Sequence, residues 1–172
     1  MPIDSGTERS APIDAADAAN TADAADAAVI CRGDLSNIGT ADFHVSFVVT
    51  TTQRVFAALV NQRGVCAHAV FWDIRMTSGG LLAVETDDAT SYTPVTSVGT
   101  RVNDGLPHDV RIQRAAGTLT VSVDGTASGS ARSLASFGPL ARLRTRTDAC
   151  TFAIDGTTTF AGTIADLCVA SP

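Results

Sequence analysis

Val70-Phe71-Trp72-Asp73-Ile74-Arg75-Met76, then Thr77-Ser78-Gly79-Gly80, then Leu81-Leu82-Ala83-Val84-Glu85-Thr86-Asp87-Asp88 is the stretch whose reading decides the fold. Its first run alternates with period two. Val70, Trp72, Ile74 and Met76 fall on one face, and Phe71, Asp73 and Arg75 on the other. Thr-Ser-Gly-Gly punctuates, and a second extended run follows from Leu81 to Thr86, so a β-hairpin is predicted. Such a strand packs one side into a core and offers the other to polar groups.

Outward from the hairpin the same period recurs. Phe43, Val45, Phe47 and Val49 alternate with His44, Ser46 and Val48. Val29 to Cys31, Val55 to Val60, Tyr92 to Val98, Val110 to Ile112, Leu119 to Val123, Leu140 to Arg146 and Thr158 to Val169 complete about ten short strands, with Ile164 and Leu167 expected to point inward. Asn103-Asp104-Gly105, Ala116-Gly117 and Asp124-Gly125 supply turns. Pro94 marks an edge strand. No amphipathic segment of helical length interrupts. Each strand has an apolar face that must be covered, which makes the chain an all-β, two-sheet antiparallel sandwich.

Residues 1–28 are different. Asp14, Asp17, Asn20, Asp23 and Asp26 recur every three residues among alanines, a spacing that drifts around a helix and builds no apolar stripe. This reads as an acidic, disordered or weakly helical tail or linker, with residues 29–172 as the folded domain. The tail holds a net charge of −5 of the chain's −6, so the domain is close to neutral. That balance favours neither nucleic acid nor an anionic membrane. No apolar run reaches the roughly 20 residues of a membrane helix, so membrane insertion is not expected.

Cys31, Cys66, Cys150 and Cys168 contain no Cys-x-x-Cys pair, which argues against zinc. Four cysteines in an all-β chain point to two disulfides and an oxidising compartment, with three pairings open. The start, Met1 to Glu8, has neither a basic segment nor an apolar one, so it does not read as a secretory signal. Arg142, Arg144 and Arg146 would share one strand face, a spacing that can present guanidinium groups to sulfate or phosphate but reads more simply as a solvated face. Asp73, Arg75 and Glu85 are expected to form a cross-strand ion pair on the solvent side of the sheet. His44, His68 and His108 have no metal spacing, and His108 is read as a structural histidine bonding backbone near the Asn-Asp-Gly turn. Arg32-Gly33-Asp34 matches an integrin-recognition tripeptide, a triplet that arises readily by chance.

Several of these pieces, in order, resemble the laminin G-like domain, a concanavalin A-like jelly roll. They are Asp42 to Phe47, the hairpin Phe71 to Glu85, Asn103-Asp104-Gly105 before His108 to Ile112, Leu119 to Gly125, and the terminal Phe160-Ala161-Gly162-Thr163-Ile164-Ala165-Asp166-Leu167. The resemblance implies a jelly-roll sandwich and a non-enzymatic recognition role, usually extracellular or at the cell surface, with a glycan or an extracellular protein as partner. A monomeric domain is expected. Pro107 stands where relatives usually carry an aromatic residue before the histidine. No cofactor is expected. Calcium is the one ion the resemblance raises, and the position where relatives place a rim aspartate falls near Ala69–Val70, which has no carboxylate. Rim loops 61–69, 86–92 and 134–139 are the expected contact surface, with His68, Asp87, Asp88 and Tyr92 as ligand-binding candidates.

Two other readings stand beside this one. The domain could be a structural or accessory unit of a larger secreted or surface assembly, attached through residues 1–28. It could also be a glycan hydrolase, since Glu85 and Asp87 share a strand face as a glycosidase pair must. The next residue on that face is Ala89, so the third carboxylate of glucanases on this architecture is missing.

Overall fold

The computed structural model describes residues 31, 33–153 and 156–171. The acidic tail, Val29, Ile30 and Arg32 lie outside the described residues, so the reading of 1–28 and of a strand at Val29 is not addressed. Cys31 is not in a strand.

Among the described residues there are ten strands: β1 Phe43–Thr50, β2 Ala57–Asn61, β3 Val70–Met76, β4 Leu82–Asp88, β5 Thr93–Thr96, β6 Pro107–Ala115, β7 Thr118–Val123, β8 Thr126–Arg132, β9 Arg144–Thr145 and β10 Thr163–Ala170. They form two five-stranded sheets, ordered β10-β1-β6-β7-β8 and β5-β4-β3-β2-β9, in which every named pairing is antiparallel. This is the all-β sandwich that the alternation requires. No helix among the described residues is long and apolar enough to cross a membrane.

The core lies between the sheets. Phe43, Val45, Phe47 and Val49 of β1, with Val110 and Ile112 of β6 and Leu119, Val121 and Val123 of β7, face Trp72, Ile74 and Met76 of β3 and Leu82 and Val84 of β4. The hairpin pairs Val70 with Asp88 through Met76 with Leu82. Its turn closes with Thr77 N–H donating to the Leu81 carbonyl and Gly80 N–H to the Thr77 carbonyl. Gly80 has φ 83°, and a Cβ there would lie 2.0 Å from Asn103 Oδ1, so glycine is required. Trp72 is buried, and its Nε1–H donates to Gln62 Oε1 at 3.0 Å.

Two features differ from the sequence reading, and a third adds to it. β8, Thr-Ala-Ser-Gly-Ser-Ala-Arg, has no apolar alternation. Its small residues let the edge of one sheet approach the edge of the other, where a Cβ on Gly129 would lie 3.0 Å from the Thr96 carbonyl oxygen. β9 is only two residues long, and Arg146 takes φ 70° just after it, so Arg142, Arg144 and Arg146 do not line one strand face. Arg114 points into the sandwich. Its guanidinium donates to the carbonyls of Gly39, Ala41 and Ala135, and lies 4.9 Å from the Phe43 ring centroid and 5.1 Å from that of Phe137.

Two disulfides are present, Cys31–Cys168 and Cys66–Cys150. The first ties the start of the domain to β10, where Gly33 N–H also bonds the Val169 carbonyl. The second ties the segment before β3 to the segment after β9.

His108 begins β6 with its side chain buried, but its partners are carboxylates rather than backbone. Nδ1 is 2.8 Å from Asp124 Oδ2, and Nε2 is 3.0 Å from Asp104 Oδ1. Burial pulls the imidazole pKa down, and the two carboxylates outweigh it, so the value is raised above 6.5. A raised folded-state pKa stabilises fully below the unfolded value and is lost as pH rises through the folded one. His108→Asn should therefore cost more stability at about pH 5.5 than at about pH 8.5. Urea midpoints of both proteins at the two pH values check this, and an equal difference at both would refute it.

Candidate functional site

The second face of β3 is not solvent-facing. Phe71, Asp73 and Arg75 are all buried. Two stretches of chain fold over them: residues 63–69, between β2 and β3, and residues 148–153 with 156–157, between β9 and β10. The Cys66–Cys150 bridge joins the two segments. The expected exposed ion pair is thus a largely covered charge network, because the loops shield most of the outer face of the sheet from water.

Asp73 and Glu85 are cross-strand partners in the β3–β4 register, which places their carboxylates side by side. Two guanidinium groups lie against both. Arg63 Nη1 is 2.6 Å from Asp73 Oδ2 and 2.9 Å from Glu85 Oε2. Arg75 Nη2 is 2.9 Å from Asp73 Oδ2, and its Nη1 is 3.4 Å from Glu85 Oε2. Arg75 Nε donates to Asp148 Oδ2 at 2.9 Å. Arg63 is further fixed by Nε–H donating to the Val65 carbonyl and by stacking 3.8 Å over the Phe71 ring. Asp73 Oδ1 is the one buried side-chain polar atom without a partner among the described residues. Burial, with Glu85 nearby, pushes the Asp73 carboxyl up to about 7 against the pull of Arg75 and Arg63.

Over this network lies an open cavity of about 340 Å³, lined in part by Phe56, Arg63, His68, Arg75, Glu85 and Tyr92. Its remaining wall is the disulfide, Ala67, Gly156 and Thr157. Tyr92 O–H donates to Glu85 Oε1 at 2.8 Å. Burial and that bond raise the phenol to about 12, so it is a donor at any physiological pH. The His68 and Tyr92 rings meet edge to face at 4.8 Å. Among the described residues Arg63 Nη2 makes no hydrogen bond, and Arg75 Nη1 makes only the long contact to Glu85. The cavity therefore offers guanidinium donors, a carboxylate acceptor and aromatic edges within one small space.

The four candidate residues separate. His68 and Tyr92 line the cavity. Asp87 lies behind His68, buried, with Oδ2 2.7 Å from His68 Nδ1 and Oδ1 accepting from Ala89 N–H. Asp88 faces the other side of β4. Its Oδ1 accepts from Thr90 N–H, Thr90 O–H and Ser91 N–H, and its Oδ2 from Ser136 N–H. Burial opposes these bonds, but they win and hold its pKa at about 2. Asp88 thus braces loop 134–139, which does not reach the cavity. Calcium does not fit this pair: the two carboxylates diverge, and Asp88 is filled by four donors. Among the described residues no group of three or more His, Cys, Asp or Glu could hold a metal ion. Asp34 of the Arg-Gly-Asp triplet is likewise engaged, by Ser36 N–H and Gln62 Nε2.

The sequence reading places Arg63 in the expected contact loop 61–69 without singling it out, and does not point to Phe56 or Asp148 as site residues. Phe56 falls in the predicted strand Val55 to Val60, and Asp148 lies in a stretch without periodicity that only the pairing of Cys66 with Cys150 brings beside loop 63–69.

Comparison with known proteins agrees with this architecture. No curated protein matches the sequence. Among solved structures, the mouse laminin alpha1 chain, domains LG4-5, superposes with TM-score 0.60 at 14% identity over 81% of this chain and 39% of that one. The chain thus spans about two fifths of that fragment. The Ruminococcus gnavus IT-sialidase CBM40 superposes with TM-score 0.61 at 11% identity, covering 77% of both chains. The same CBM40 bound to alpha2,3 sialyllactose gives TM-score 0.59 at 10% identity. At these identities the likeness is one of fold. The laminin G domain profile, however, matches residues 42–164 directly, from just before β1 into β10, and on that match the chain belongs to the laminin G domain family.

Proposed function

We propose that the domain is a non-enzymatic, extracellular recognition module that binds a glycan in the cavity over β3 and β4. One observation carries this reading: Arg63, Arg75, Glu85 and Tyr92 converge there with donors left over, beside the rings of His68 and Phe56. Neighbouring sugar hydroxyls donate and accept at once, so a carboxylate flanked by guanidinium groups suits them, while the C–H face of the sugar packs on aromatic rings. Sialyllactose is the first ligand to test, because a protein of the same fold is described in complex with it.

A binding role fits better than hydrolysis. A glycosidase needs two carboxyl groups flanking one bond. Glu85 faces the cavity, but Asp87 is buried behind His68 and held by two partners. The two disulfides support an oxidising, extracellular location.

A glycan array of sialylated and neutral sugars tests the reading. The wild type should bind, without cleaving, at least one glycan. Glu85→Ala should lower that affinity about tenfold or more while the fold is kept. No binding by well-folded wild type would instead favour an accessory domain without a small ligand.

A further inference from the structure

Cys150, Gly156 and Thr157 form one wall of the cavity, and between them in the chain stands Phe152, which is 86% exposed, the most exposed large apolar side chain among the described residues. The described residues around it are tied to one another. Asp148 Oδ1 accepts from Cys150 N–H and from the hydroxyls of Thr151 and Thr157, and Phe152 N–H donates to the Thr157 carbonyl. Gly156 lies so close to Cys150 that a Cβ there would be 1.9 Å from the Cys150 carbonyl oxygen. Phe152 has φ 68°, a left-handed conformation that a bulky residue adopts only at a cost. Phe152 therefore stands in water on a hydrogen-bonded backbone in a strained conformation.

Cys150, Gly156 and Thr157, on either side of Phe152 in the chain, line the cavity. The half-exposed Val65 adjoins Cys66 at the other end of the bridge. In the sheet order β5-β4-β3-β2-β9, Tyr92 comes from the β4–β5 side and this loop from the β2–β9 side, so the cavity floor on β3 lies between them.

We infer that Phe152 is a stacking platform for a second sugar ring, so that the ligand is an oligosaccharide whose terminal unit enters the cavity while the next lies on Phe152. This rests on the glycan reading above. A pyranose presents an apolar C–H face, and covering it with the ring removes apolar area from water on both partners.

Titrations of α2,3-sialyllactose and of free sialic acid, or of the best array glycan and its terminal monosaccharide, test the inference with the wild type, Phe152→Ala, Phe152→Trp and Phe152→Gly. Phe152→Ala should weaken the oligosaccharide about tenfold and leave the monosaccharide unchanged, and Phe152→Trp should keep both. Phe152→Gly should bind as weakly as Phe152→Ala yet melt higher, because glycine relieves the positive φ. Equal affinities for wild type and Phe152→Ala, or equal losses for the long and short ligands, overturn the platform alone. Absence of any glycan binding by the wild type overturns both the platform and the glycan reading.

Discussion

Arg75→Met should destabilise the domain by about 3–5 kcal/mol at neutral pH, because it removes one partner from a buried ion network and leaves the others behind. Asp148 loses the Nε–H that faces it at 2.9 Å, and its side chain has no solvent exposure to compensate. Asp73 loses one of its two guanidinium groups while its Oδ1 is already unpaired. Methionine keeps much of the volume, so the loss reports charge rather than packing. Asp73 supplies a second signature. Its pKa is raised to about 7, so acidification protonates it and removes one of the two stranded charges. The gap between wild type and variant should therefore narrow as pH falls from about 7.5 to about 5.5 without closing, since Asp148, held low by Thr157 and Arg75 against its burial, keeps charge that Arg75 would have paired. Adding Asp73→Asn to Arg75→Met should recover part of the loss at neutral pH. Urea midpoints for the four proteins of this cycle check the coupling. Additive losses would mean that the two side chains do not stabilise each other.

Trp72→Ala is the second large effect, about 3–5 kcal/mol. Trp72 is the largest fully buried side chain and packs between the sheets with Ile74 and Met76. Its removal opens a cavity that the two sheets cannot collapse to fill. The indole also donates to Gln62 Oε1, an atom that accepts from Leu35 N–H as well. Trp72→Phe keeps most of the packing and loses that bond, so roughly 1–2 kcal/mol is expected. The pair of variants, compared by urea denaturation, separates packing from hydrogen bonding. A Phe variant as unstable as the Ala variant would show that the hydrogen bond dominates.

Both effects start from the same seven residues, and they show what the chain reveals by itself. Period-two alternation through Val70, Trp72, Ile74 and Met76 names the inward face, because alternate side chains of a strand leave on opposite sides. It cannot say what lies over the outward face. Asp73 and Arg75 read as solvated charges, and they became a buried network because two loops joined by Cys66–Cys150 close over them. Loop cover has no period, and the disulfide was one of three possible pairings. β8 escaped notice for a related reason: its small side chains serve close approach to Thr96, not a hydrophobic face. For Arg142, Arg144 and Arg146 the alternation implies one shared strand face, which the structure does not form because the positive φ at Arg146 ends the strand. Of the four candidate residues, His68 and Tyr92 reach the cavity because they stand where the chain leaves the hairpin and its ends meet. Asp87 and Asp88, adjacent in sequence, leave β4 on opposite sides, one behind His68 and one into loop 134–139.

The proposed recognition surface is the covered face of β3 and β4, not rim loop 134–139. Nuclear magnetic resonance during a titration with the best-binding array glycan tests it most directly. The side-chain Nε–H signals of Arg63 and Arg75 and the backbone amides of Glu85 and Tyr92 should shift together and saturate, while Asp88 and residues 134–139 stay fixed. Shifts confined to Asp88 and 134–139, with the two arginines unmoved, would contradict it.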